Sequence, residues 1–593
     1  MSTGRLCCAV VFGLLCGCCV DRTLAVDPKR AVIVADADGV REAAQELQLH
    51  LKLMTDIDVP IVRRVDGDAY AFVFDERLPV SDNDESCAWS VDAQKTVFRG
   101  NAYFAVVDYL ENALGVRWPQ GDAVCCEKSA LIRPAARSGA WVPDILIRKI
   151  RHYNYGSGNV PFARRMRYGQ HAAPVYGHAF TKFWRTYGRD HRDFFAMRKD
   201  GIRGPWSVRA EDLKGDVAVA MADRKSSYVA MCCTSTGLVA QIVANWRAEG
   251  CPAYINLCEN DVPGRQSCQC LDCRALDVVP EQIDPKVEKH YADRYVYFAN
   301  RVLAAARPYR ADVRVSYYAY NATEAAPRRE RPDPASVIGI CPTTFTHEHI
   351  ADYVGGWSEA GARNYFYRPN RHHYYNCPYL PLGCEKHFFE IMRYLLDKGC
   401  VGFDYDAKPA RFGSFEWLDR YVLLHGMQDP TKSYDYWEDH YCQAYGAAKE
   451  DVKGYLRFWR EEVWDKRLAP DMAVLMEKGK WYNFARGLLH NLGDYYRAED
   501  LAAAEKFLVA AEARPLNDLQ AVQLARLRMA HEHAKLQFEA VAHKSKVNTQ
   551  KLVDFRRAHG YPLYTWAEQY FGDITGVEAL LGPNPDKAKS RMD

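Results

Sequence analysis

Val313-Arg314-Val315-Ser316-Tyr317-Tyr318 and, after a polar connection broken by prolines, Val337-Ile338-Gly339-Ile340-Cys341 decide how this chain is read. Each run is short, apolar or aromatic, and bounded by turn-forming residues, which predicts a strand. Working outward, similar runs recur at Arg148–Tyr153, Ala172–Gly177, Tyr228–Cys232, Tyr254–Cys258, Arg363–Tyr367 and Cys400–Asp404, with helical stretches between them. Eight strands alternating with helices over residues 145–430 predict a closed parallel (β/α)8 TIM-like barrel; an open doubly wound sheet is the alternative.

On either side the pattern changes. Residues 26–135 read as a small mixed α/β domain. Ala31–Ala35, Ala69–Phe74 and Thr96–Arg99 are strands, and Ala44, Leu47 and Leu51 share one helix face. A second helix, Tyr103–Leu114, ends at Gly115, a C-cap glycine. Residues 431–593 read as all-helical, with Tyr455, Phe458 and Trp459 on one face. The stretch Asp494–Ala542 is rich in Ala, Leu, Glu, Lys and Arg, and Pro515 divides it into two helices. The predicted fold class is therefore α/β, in three domains: mixed α/β, TIM-like barrel, helical.

Residues 1–25 read as a signal peptide. Arg5 precedes an apolar stretch, Leu6–Leu15, shorter than the roughly 20 residues a membrane-spanning helix needs. Two cleavage readings stand side by side. Thr23-Leu24-Ala25 is a small-residue site before Val26. Leu15-Cys16-Gly17-Cys18 resembles a lipobox, which would leave Cys18 lipidated and the protein tethered. Both predict export, to the periplasm, the medium or a lipid anchor at the cell envelope. No later segment reads as membrane-spanning.

The 593 residues carry a net charge of +2 with no long basic run, which argues against nucleic acid. The 37 Tyr and 13 Trp offer rings with polar handles, suited to the apolar faces and polar edges of a carbohydrate partner. Oligomeric state is not legible.

In a barrel of this type the active-site groups follow the carboxyl ends of the strands. The candidates in order are Asn154 and Tyr155; His178; Thr234 and Ser235; Glu259-Asn260-Asp261; Tyr317-Tyr318 with Tyr320 and Asn321; Thr343 and Thr344; Tyr367 and Arg368 with Asn370, Arg371, His372 and His373; and Asp404 with Asp406. Glu259, Asp261, Asp404 and Asp406 are the catalytic candidates, because glycoside hydrolysis needs an acid and a second carboxylate across the scissile bond. His178, Tyr318, Tyr320, Tyr367, Arg368 and Arg371 are the substrate-binding candidates, the arginines because they pair bidentately with a carboxylate such as that of a uronic acid. There is no glycine-rich phosphate loop, and no cofactor is expected to be required for turnover.

Cys268-x-Cys270-x-x-Cys273 is the sharpest cysteine motif. It reads either as a structural zinc site, with Cys258 as a fourth ligand, or as a disulfide staple. Five of the 20 cysteines lie in the leader, and export places the rest in an oxidising setting that favours the staple. His347-Glu348-His349 is a weaker metal pattern, lacking the two-His spacing of a helical site.

Arg99-Gly100-Asn101, Tyr109-Leu110-Glu111 and Leu114-Gly115-Val116-Arg117-Trp118 resemble the end of the small domain that precedes the barrel in α-glucuronidases and β-hexosaminidases. Asn260-Asp261 with the three-cysteine motif resembles the bacterial family known as domain of unknown function 4838. So do Tyr434-Asp435-Tyr436-Trp437, Tyr441 and Ala444-Tyr445-Gly446-Ala447-Ala448. The resemblance implies a glycoside hydrolase-like architecture in an exported protein of a polysaccharide-degrading bacterium. In related sugar-cleaving barrels the general acid often follows the fourth strand, which here implies Glu259 or Asp261. The hexosaminidase signature is an adjacent Asp-Glu pair; here the run is Glu259-Asn260-Asp261.

Overall fold

Most of the apolar runs pair into two six-stranded sheets. The computed structural model describes residues 24–75, 80–81, 83–150, 161–169, 174–206, 208–215, 229–261, 266–278, 290–342, 344–369, 379–406, 415–479, 484–564 and 572–585. Two compact units divide the chain: residues up to 80 with 87–115 and 128–141, and residues 81–86 and 116–127 with everything from 142 onward.

The first unit holds β1 (Ala31–Val34), β2 (Ile61–Val62), β3 (Tyr70–Asp75), β4 (Cys87–Val91), β5 (Lys95–Gly100) and β6 (Ser138–Trp141), in the order β2-β1-β3-β5-β4-β6. Helix α1 (Arg41–Thr55) buries Ala44, Leu47 and Leu51 completely. Helix α2 (Ala102–Asn112) starts on Asn101, whose side chain accepts from the Phe104 N–H at 3.1 Å. Gly115 follows it at φ +71°, the left-handed conformation expected of a capping glycine.

In the second unit β7 (Ile147–Ile150), β8 (Tyr254–Asn256), β9 (Arg314–Ala319), β10 (Ser336–Ile340), β11 (Asn364–Tyr367) and β12 (Cys400–Tyr405) form an all-parallel sheet, ordered β7-β12-β11-β10-β9-β8. The predicted first strand thus pairs with the last, as it does where a barrel closes. Long helices α3 (Thr236–Ala248), α4 (Ala292–Ala306), α5 (His347–Glu359) and α6 (Glu385–Asp397) intervene and α7 (Glu416–Gln428) follows β12, although β9 passes to β10 with only a single turn, Asn321–Thr323.

Among the described residues the sheet has six strands, where eight were expected. Of the predicted strand Ala172–Gly177, residues 172 and 173 lie outside the described residues, and 174–177 carry no strand. Pro174 has no N–H to give a ladder, and Gly177 turns at φ +109°. This segment lies across one face of the sheet: Asn256 donates to the Gly177 carbonyl at 2.8 Å, Ser316 donates to that of Val175, and the Tyr176 ring sits 4.7 Å from Phe366. Of Tyr228–Cys232, Tyr228 is outside the described residues, and the rest forms one isolated antiparallel bridge, Met231 to Phe195. Its polar backbone is satisfied locally, Ala196 N–H to Ala230 O at 2.9 Å and Cys232 N–H to Phe194 O at 2.8 Å. No helix among the described residues is long and apolar enough to cross a membrane, and Cys18 lies outside them.

The helices beyond residue 430 belong to the same compact unit as this sheet. Pro515 falls between α8 (Ala498–Glu512) and α9 (Asp518–Ala542), which pack on each other. Asn517 opens α9 with a capping box closed by Gln520.

Candidate functional site

Side chains of a strand alternate between two faces, and here the alternation sorts the candidates. Tyr365, Tyr367, Phe403 and Tyr405 turn toward the helices. The Tyr365 hydroxyl donates to Leu395 O of α6 at 3.1 Å, and the Tyr367 ring lies 6.2 Å from Phe403 and 5.8 Å from Tyr405. Tyr367 therefore does not join the other binding candidates. On the opposite face Ile147, Cys258, Tyr318, Val337, Cys341 and Phe366 form one buried cluster. Gly339 makes this possible: a Cβ there would stand 2.6 Å from Phe366 Cζ and 2.7 Å from Tyr318 Cδ1.

Alternation places Arg368, Asp404 and Asp406 on this same face, at its carboxyl end. The Arg368 guanidinium sits over the Tyr318 ring, 5.3 Å from its centroid. Burial works against its charge, yet Cys341, Tyr318, Asp406 and Asp404 together hold it above the usual arginine range. Asp404 is 1 % exposed. Asp406 is partly buried, and residues 407–414 beyond it are not described.

Glu259 follows β8 and lines a small pocket with Tyr295, Tyr318, Tyr320 and Asn321. Burial pushes its carboxyl up to about 7. Three donors pull the other way: Asn260 N–H to Oε1 at 2.8 Å, Met231 N–H to Oε2 at 3.1 Å and the Tyr295 hydroxyl to Oε2 at 3.0 Å. Desolvation wins. The backbone carbonyl of Glu259 accepts from His178 Nδ1 at 2.8 Å; a carbonyl only accepts, so Nδ1 carries the proton. His178 itself is exposed, as is Asp261, which does not line the pocket. Tyr318 is thus shared: it walls the Glu259 pocket and lies under Arg368, which stands in the field of Asp404 and Asp406.

The sequence reading missed Tyr295, on α4, and the Met231 amide. Neither leaves a signal in the chain, because both act on Glu259 only through the fold. Asn154, Tyr155, Thr343, Asn370, Arg371, His372 and His373 lie outside the described residues.

Four buried thiols converge beside this pocket: Cys232, Cys268, Cys270 and Cys273, every Sγ within 4.8 Å of the others. Such a set can hold a metal ion. The fourth member is Cys232, not Cys258, which is buried in the sheet cluster instead. No described cysteine pair is bonded as a disulfide. The doubled Cys232-Cys233 at the end of a predicted strand was the available clue. His347 and His349 do not converge: the first approaches Glu390 at 4.0 Å, the second Glu324 at 3.4 Å.

A family model described as "Domain of unknown function (DUF4838)" matches residues 135–457. No curated protein matches the chain. Similar solved structures include the GH20 β-N-acetylhexosaminidase from Streptomyces coelicolor A3(2), 12 % identical over 71 % of this chain and 91 % of that one, with a TM-score of 0.39. The family 89 glycoside hydrolase from Clostridium perfringens is 9 % identical over 88 % of this chain and 65 % of its own, at 0.43. The GH20 exo-β-N-acetylglucosaminidase from Vibrio harveyi is 11 % identical over 73 % and 76 %, at 0.37. These likenesses are distant.

Proposed function

The chain belongs to the family described as domain of unknown function DUF4838, and from that premise we propose that it is an exported glycoside hydrolase that cleaves polysaccharide-derived oligosaccharides with Glu259 as general acid. The observation that carries this reading is the position of Glu259, in a tyrosine-lined pocket just past the carboxyl edge of a parallel sheet. That edge is where barrel enzymes present reactive groups, and the pairing of β7 with β12 supports reading the sheet as an arc of such a barrel. A general acid must hold its proton toward neutral pH, and burial raises the Glu259 carboxyl to about 7.

In this reading Asp404 or Asp406 is the second carboxylate, acting as base or nucleophile. Tyr318 and Tyr320 pack against the sugar, and Arg368 meets the carboxylate of a uronic acid unit. His178 is a positioning residue, tying its own loop to the main chain of Glu259. A panel of neutral and uronic-acid-containing oligosaccharides, read by product chromatography, tests it. Glu259→Gln should lower turnover by about 10²-fold or more in a protein that still folds, and Asp261→Asn should stay near wild type. Full activity in both Glu259→Gln and Asp404→Asn would sink the assignment.

One observation favours a second reading. Asp404 is 1 % exposed, closed off from the water a base must activate. A protein that binds oligosaccharides without cleaving them would give saturable binding on the same panel and no product.

A further inference from the structure

We propose that Cys232, Cys268, Cys270 and Cys273 bind one zinc ion as four thiolates, and that this ion holds the Met231 amide against Glu259. The positioning part rests on the reading of Glu259 above; the metal site does not.

The sulfur spacing carries the first part. Cys232 Sγ lies 3.8 Å from Cys270 Sγ and 3.8 Å from Cys273 Sγ, and Cys268 Sγ lies 3.4 Å from Cys270 Sγ. A tetrahedron with Zn–S bonds of about 2.3 Å has edges of about 3.8 Å. A disulfide needs about 2.05 Å. The four cysteines are 2 %, 2 %, 7 % and 0 % exposed, in the order named. The surroundings suit anionic sulfur. The Met197 N–H donates to Cys268 Sγ at 3.2 Å, and Thr234 Oγ1 lies 3.3 Å from Cys273 Sγ. Four thiolates on a dication leave a net charge of −2. Arg203 faces Cys232, and the buried Arg294 donates to the Cys268 carbonyl at 2.6 Å. Zinc suits such a closed all-sulfur set and has no redox chemistry that would disturb it.

The chain path carries the second part. Met231, the donor to Glu259 Oε2, is the residue before Cys232. Its segment belongs to no sheet and is held by the bridge to 194–196. The next residue of that strip, Met197, accepts from the Gln269 N–H at 2.8 Å and donates to Cys268 Sγ. One ion bonded to Cys232 and to the 268–273 loop therefore clamps the strip on both sides, with the Glu259 donor at its edge.

Metal analysis of the full chain purified without chelator should find about one zinc per chain, and Cys232→Ser should lower that content about tenfold or more while Cys251→Ser leaves it unchanged. Stoichiometric iron, or no metal, overturns the site. Should Cys232→Ser fail to fold, cobalt(II) exchange into the wild-type protein decides: intense visible absorption of a tetrahedral thiolate site is expected, and a weak octahedral spectrum overturns it. Hydrogen exchange of the 229–233 segment tests the clamp without any need for turnover. Removing zinc should speed exchange at Met231; equal protection with and without zinc overturns the positioning role. Absence of hydrolysis on every glycan would count against the function of Glu259 and leave both of these results standing.

Discussion

At the residue scale the molecule turns on how one carboxyl is treated. Glu259 receives three hydrogen bonds, each favouring its anion, and its carboxyl is nevertheless raised to about 7 by burial. Removing one donor should strengthen the effect. Tyr295→Phe deletes the hydroxyl on Oε2, so the Glu259 pKa should rise above about 7. An acid works only while protonated, so the falling limb of the pH–rate profile should move to higher pH in this variant. A limb that stays in place or moves down would show that Glu259 does not set it. The residue type and place of Glu259 were legible in the chain, after a strand and beside Asn260. The choice between Glu259 and Asp261 was not, since two positions apart in sequence decide nothing about which side chain meets solvent.

At the element scale six of the eight apolar runs read as barrel strands formed strands of the parallel sheet. Ala172–Gly177 has the composition of a strand but carries Pro174, and its described residues, 174–177, lie over the sheet instead of within it. In β10, glycine is required by its neighbours: Tyr318 and Phe366 meet across Gly339 with ring centroids 6.3 Å apart. Gly339→Ala should therefore overpack the sheet and cost about 1–3 kcal/mol, measured by denaturant unfolding. A neutral result would mean that the two rings can separate freely. Tyr367 teaches the complementary lesson. It is adjacent to Arg368 in sequence and on the other face in space, because strand periodicity is two.

At the scale of the whole molecule the helical region shares a compact unit with the parallel sheet. The Tyr496 hydroxyl donates to Pro381 O at 2.8 Å, and Arg460 forms a buried ion pair with Glu438 next to Glu385 on α6. Arg460→Met would strand the buried Glu438 charge and should cost about 3–5 kcal/mol, with sheet and helices unfolding in one transition by fluorescence and circular dichroism; two separate transitions would contradict this. Burial first, and then Asp419 and Glu438, raises the Glu385 carboxyl to about 7. Because this folded value exceeds the unfolded one, the stability the group contributes is complete below pH about 4.5 and is lost as pH rises through about 7. Glu385→Gln should flatten the fall in melting temperature between pH 5 and pH 8, in differential scanning fluorimetry at about equal ionic strength. By itself the sequence determined the strand-and-helix alternation, the carboxylates after the fourth and eighth runs and the clustered thiols. These follow from periodicity and spacing, which are local properties of the chain. Only the tertiary structure decided that the described parts of two runs stay out of the sheet, that Cys232 completes the thiol set in place of Cys258, and that Glu259 lines the pocket while Asp261 faces solvent. Each of those depends on groups distant in sequence competing for one buried volume, and no local pattern records that competition.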